Sequence, residues 1–114
     1  MDIPRTPEEI TALTVRELAL AILARLVRAV QVNRVNFIRE VYATMPSRPG
    51  TPAGLHGRSL NHEPAAAQAL SEGWDWLYLH GLISPDPVQE RSFFFVTRRG
   101  RRVAADPSLL DEDW

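Results

Sequence analysis

Five arginines within twelve residues, Arg91, Arg98, Arg99, Arg101 and Arg102, are the densest group of chemically competent side chains in this 114-residue sequence, and no acid lies among them. A guanidinium presents a planar fork of donors that matches the oxygens of a phosphate, so such a run points to contact with a polyanion. Arg58, in a Pro- and Gly-rich stretch, can join the same patch, as can Arg48. The same run also suits the solvated side of a short helix paired with the acidic tail Asp111-Glu112-Asp113. All thirteen basic residues are arginine, and the net charge is −1. The charges fall in blocks. Residues 63–90 carry five acids and no arginine, residues 91–102 carry five arginines and no acid, and the last twelve residues carry four acids. That segregation predicts separate basic and acidic faces, which bears on partners more than on fold.

Other chemistry has little to build on. Without cysteine there is no disulfide, thiolate metal site or cysteine nucleophile. His56, His62 and His80 match no metal-ligand spacing. Glu72 and Asp75 stand one helical turn apart, a spacing more typical of a solvated face than of an acid/base pair, and no Ser/His/Asp arrangement or phosphate-cradling glycine loop appears. The expectation is a protein that is not an enzyme and carries no metal or cofactor.

The elements that must position the arginines are legible from local signals. Thr6-Pro7-Glu8-Glu9 and Thr14-Val15-Arg16-Glu17 are successive helix starts, predicting a short turn at 7–12 and a longer helix from Val15 to about Gln31. Leu18, Ile22, Leu23, Leu26, Val27 and Val30 make that second helix the central one. Asn33 can cap a third helix from Arg34 to about Thr44, which Met45-Pro46 ends. Residues 46–62 read as a long loop, seventeen residues that form either a surface excursion or a functional segment, with Leu60 as a candidate pin to the core. A helix from Glu63 or Pro64 to about His80 follows, with Ala66, Ala69, Leu70, Trp74 and Leu77 inward and Gly81 as its stop. Leu82-Ile83 opens a strand that Ser84-Pro85-Asp86-Pro87 breaks, and the run from Arg91 or Ser92 to Thr97 supplies a second. A final helix runs from about Arg98 to Ala105, before an acidic tail at 106–114.

Gly81-Leu82-Ile83, a proline-bearing turn, and Phe95-Val96-Thr97-Arg98-Arg99-Gly100 together resemble the closing segment of bacterial winged-helix (winged helix-turn-helix) proteins, in which a helix ends in Gly-Leu-Ile, a wing follows, and a Thr-x-x-Gly exit begins the last helix. Trp74-x-Trp76-Leu77 with these segments is also similar to uncharacterised bacterial proteins, some of them in genomic neighbourhoods suggestive of phage defence. The resemblance covers about forty residues directly. It implies one domain over residues 1–114, mainly α with a small β-hairpin (α+β), with three to four core helices and a two-stranded wing. It further implies association with double-stranded DNA, as in a transcriptional regulator or defence component. One departure is that about seventeen residues separate the helices a helix-turn-helix joins by three or four.

The helix that would enter a DNA groove has the wrong charge for that task. Its exposed positions, Gln68, Ser71, Glu72, Asp75, Tyr78 and Leu79, include acids and no arginine, and each acid is repelled by a polyanion. DNA contact is therefore expected from Arg91, Arg98, Arg99, Arg101, Arg102 and Arg58, led by the wing. The alternative is a protein-interaction or oligomerisation module using Tyr78, Trp76, Leu79 and Trp114, with another protein or a second copy as partner. The longest apolar run, Leu18–Ala24, is seven residues, far short of the ~20 a membrane span needs, and the acidic start MDIPRTPEE differs from a secretory signal. No membrane partner is expected, and a cytoplasmic location is.

Overall fold

Two threonines begin the helical part of the molecule. In the computed structural model, which describes residues 3–4, 6–29, 32–43, 64–88 and 93–112, Thr6 caps α1 (Pro7–Ala12) by accepting from the Glu9 amide. Thr14 caps α2 (Val15–Leu26) in a full capping box: its hydroxyl accepts from the Glu17 amide at 3.1 Å, and the Glu17 carboxylate accepts from the Thr14 amide at 3.0 Å. The hydrogen bond from the Thr14 amide, and after it the Thr14 hydroxyl, hold the Glu17 carboxyl below the usual glutamate range.

The sequence places the end of α2 near Gln31, but the helix closes at Leu26. Arg28 and Ala29 donate to the carbonyls of Arg25 and Leu26, three residues back, which tightens the last turn. The chain must then extend, because Val32–Asn33 forms a strand, β1, whose residues pair with Phe94 and Phe93. Asn33 also caps α3 (Arg34–Ala43), its side-chain oxygen accepting from the Val35 and Asn36 amides.

After α4 (Pro64–Leu79), Gly81 takes φ 71°, the left-handed conformation that ends a helix and that glycine adopts without a Cβ penalty. β2 (Ile83–Pro85) and β3 (Phe93–Val96) then pair antiparallel, with Ile83 opposite Val96 and Pro85 opposite Phe94. The sheet order is β1-β3-β2, so the expected two-stranded hairpin gains a third, two-residue strand on its β3 edge. α5 (Arg98–Ala105) and the one-turn α6 (Leu109–Glu112) complete the described chain.

The molecule is thus mainly helical with a small antiparallel sheet. Its core lies between α2 and α4, where Leu18, Ile22, Leu23 and Leu26 meet Leu70, Trp74 and Leu77. Trp74 is wholly internal, tilted against Phe37 and edge-on to Phe94 with centroids 5.7 and 5.3 Å away. No polar or charged residue is buried among those described. No helix among them is long and apolar enough to cross a membrane.

The C-terminal segment departs from its expected behaviour as a tail. Leu110 is buried in the core, and Asp111 receives a hydrogen bond from Arg16 of α2 at 2.9 Å. Burying one leucine stabilises by roughly 1.5–3 kcal/mol, enough to return this short acidic segment to its own domain. The 46–62 loop, with Arg48, Arg58, His56, Leu60, Asn61 and His62, lies outside the described residues, as do Arg91 and Trp114.

Candidate nucleic-acid interface

The arginine helix α5 is fixed by what surrounds its first turn. Thr97 is its N-cap: the hydroxyl accepts from the Gly100 amide at 2.9 Å and donates to the Gly81 carbonyl at 2.7 Å. The Thr97 amide donates to the Leu82 carbonyl at 3.0 Å. Gly100 lies so close to Leu82 that a Cβ would collide with the Leu82 carbonyl oxygen and come within 2.8 Å of Val96 Cγ1. Gly100 and Val103, both buried, therefore define the inner stripe of α5.

With the inner stripe set, Arg98, Arg101 and Arg102 fall at i, i+3 and i+4 on the opposite face and are all exposed. Neighbours at these spacings have Cβ atoms about 5–6 Å apart. Arg99 differs: it is half-buried, with Nε and Nη2 enclosed, so α5 presents a ridge of three arginines rather than four. The acids nearest in sequence do not answer this ridge. Asp106 accepts from the Ser108 amide and hydroxyl, and Asp111 holds Arg16. The ion pairs found among the described residues are Arg16–Asp111 and Arg34–Asp75, so Asp111, one of the tail acids that could have paired with α5, is engaged by α2 instead.

The ridge opposes local stability. Arginines at i, i+3 and i+4 repel by a few tenths of a kcal/mol per pair, and Arg98 at a helix N-terminus opposes the helix dipole at a further ~0.3–1 kcal/mol. No acid in the first turn offsets either effect. The Thr97 cap and the buried Val103 hold the helix in place regardless.

α4 presents the other expected surface. Gln68, Glu72, Asp75, Tyr78 and Leu79 are exposed, and Ser71 is half-buried. Counting charge along α4 missed Arg34, which arrives from the first position of α3. Its Nη2 donates to Asp75 Oδ1 at 2.6 Å, to Ser71 Oγ at 2.7 Å and to the Ser71 carbonyl at 2.9 Å. Asp75 is thereby paired with a cation, and among the described residues Glu72 remains as the unpaired acid of that face. The only available signal was Asn33, whose cap sets where Arg34 leaves the helix start.

Of the aromatic interface candidates, Trp76 is half-buried and stacked on His80 at 3.8 Å, while His80 Nδ1 lies 2.8 Å from the Trp76 carbonyl and donates to it. Tyr78 is 50% exposed and meets Phe94 edge-on, and Leu79 is 76% exposed. Among the described residues no group of three or more His, Cys, Asp or Glu could hold a metal ion. No protein-family model, curated protein or solved structure matches this chain, so its function is read from the site alone.

Proposed function

We propose that this chain is a non-enzymatic winged-helix module that binds nucleic acid by phosphate contacts from the α5 ridge, in the service of transcriptional regulation or defence. The observation that carries the reading is Arg98, Arg101 and Arg102 exposed on one helix face with no carboxylate partner among the described residues. A fold that bears uncompensated like charge has a use for it elsewhere, and a polyanion supplies the missing counter-charge. The order α2-β1-α3-α4-β2-β3, with β1 joined to β3, supports the winged-helix architecture. Arg58 and Arg91, which lie outside the described residues, remain further candidates for phosphate contact in this reading, and Arg99 serves mainly to seat α5.

Contacts of this kind position a protein on a duplex without reading its bases, so the predicted binding is strong at low salt and largely indifferent to sequence. Replacing Arg98, Arg101 and Arg102 together by alanine should weaken duplex binding strongly at low salt while the helical circular dichroism spectrum is retained. Binding by the folded variant equal to that of the parent sinks the assignment.

A second reading, docking of another protein, is favoured by Tyr78 and Leu79, adjacent apolar residues left open at the end of α4. Its signature would be a partner whose capture is lost in Leu79→Glu and unaffected by the α5 substitutions.

A further inference from the structure

β3 has two faces, and the core uses one of them. Phe94 meets Trp74 edge-on, and Val96 is buried opposite Ile83. Side chains alternate along a strand, so Phe93 and Phe95 stand together on the other face, about 7 Å apart. Their cross-strand neighbours on that face are polar, Asn33 opposite Phe93 and Ser84 opposite Phe95. Both rings are half-buried, neither packs against the core, and neither meets another aromatic ring among the described residues. Through Thr97 the strand runs straight into α5, so the Cα atoms of Phe95 and Arg98 are at most about 11 Å apart. At the wing end of the face Asp86 donates its amide to the Phe93 carbonyl, and its Oδ1 accepts from the Val88 amide.

We infer that the outer face of β3 stacks unpaired bases of a nucleic-acid strand whose phosphates run along the Arg98–Arg101–Arg102 ridge. The inference rests on the nucleic-acid reading and names its substrate, a strand with unpaired bases. Two open rings that lead into three arginines without a carboxylate partner among the described residues match a chain of planar bases joined by phosphates. A duplex hides its base faces in its own stack, so it can meet the ridge but not the rings. Every base has a π-face, so stacking of this kind tolerates any sequence, as do the phosphate contacts. The carboxylate of Asp86 places the phosphates toward the α5 end of the face.

The test is fluorescence anisotropy with two labelled single strands of equal length, an oligothymidylate and an abasic strand that keeps the phosphates and lacks the bases. The oligothymidylate should bind more tightly, by about 5-fold or more for each base that stacks. The double variant Phe93→Leu, Phe95→Leu keeps apolar bulk and loses the rings. In folded form it should lose most of that advantage, bind the abasic strand as the parent does, and keep the parent's salt slope. The triple alanine variant of the ridge should instead weaken both strands and flatten the slope, which phosphate contacts set. Equal affinity of the parent for the two strands overturns this inference alone, and that comparison needs no variant. A folded Phe93→Leu, Phe95→Leu variant that keeps the full advantage also overturns it. So does a dimer, seen by light scattering, that these substitutions dissolve, because the face would then belong to a second copy. Base-dependent binding that the triple alanine variant leaves unchanged overturns the phosphate reading of the ridge, and a parent chain that binds neither strand overturns both.

Discussion

The Thr97 hydroxyl donates to the Gly81 carbonyl at 2.7 Å, across sixteen positions of sequence, while accepting from the Gly100 amide. One side chain thus closes the end of α4 and opens α5, and the aim of the arginine ridge depends on it. Thr97→Val keeps the shape and removes both hydrogen bonds. It should cost about 1–2 kcal/mol in chemical denaturation, the value of a lost cap together with an orphaned carbonyl. Thr97→Ser should restore most of that loss. Equal stability for the valine and serine variants would show that the hydroxyl does not tie the two helices.

Gly100 packs directly against the Leu82 carbonyl, just before β2. Gly100→Ala should destabilise by about 1–3 kcal/mol or more, because the new methyl meets a backbone carbonyl that has little room to move. Gly81→Ala tests a different effect: nothing lies within 4 Å of its Cβ position, so its cost of about 1–2 kcal/mol is the positive φ alone. A Gly100→Ala variant as stable as its parent would contradict this packing.

Acid should weaken the start of α2. The Glu17 carboxyl is depressed in the folded state by its hydrogen bonds to Thr14. Between its folded and unfolded values the unfolded chain binds more protons, so stability rises with pH in that window. The contribution is therefore full above the ordinary glutamate value of about 4.3 and disappears as pH falls through the lower folded value. Denaturation midpoints measured across that range should fall less steeply with acid in Glu17→Gln than in the parent. Identical pH profiles would remove Glu17 from the account.

What was legible in the sequence is what a residue type does locally. Gly81 announced a left-handed stop, and Thr6, Thr14, Asn33 and Thr97 announced helix starts, because each satisfies backbone groups within a few positions. Long-range partners left no such mark. β1 is two residues, held extended only by pairing with Phe93 and Phe94, so its segment read as a plain connection. Leu109–Glu112 carried acids that suggested a tail, and its anchorage comes from the Leu110 burial and the Arg16 hydrogen bond. The acidic character of α4 was read correctly position by position, yet Arg34 changes its electrostatics from another helix. The α5 run showed four closely spaced arginines; which three form the ridge follows from Gly100 and Val103 facing inward.

The central claim is that Arg98, Arg101 and Arg102 meet phosphates. The most direct measurement is the salt dependence of duplex DNA affinity for the parent chain and the triple alanine variant. Each phosphate contact contributes about 0.9 to the slope of log affinity against log salt, so losing three should flatten it by roughly 2.7. A steep parent slope that flattens by about that amount in a folded variant is the predicted result. Slopes that coincide, or a parent chain that ignores duplex DNA at low salt, would contradict it.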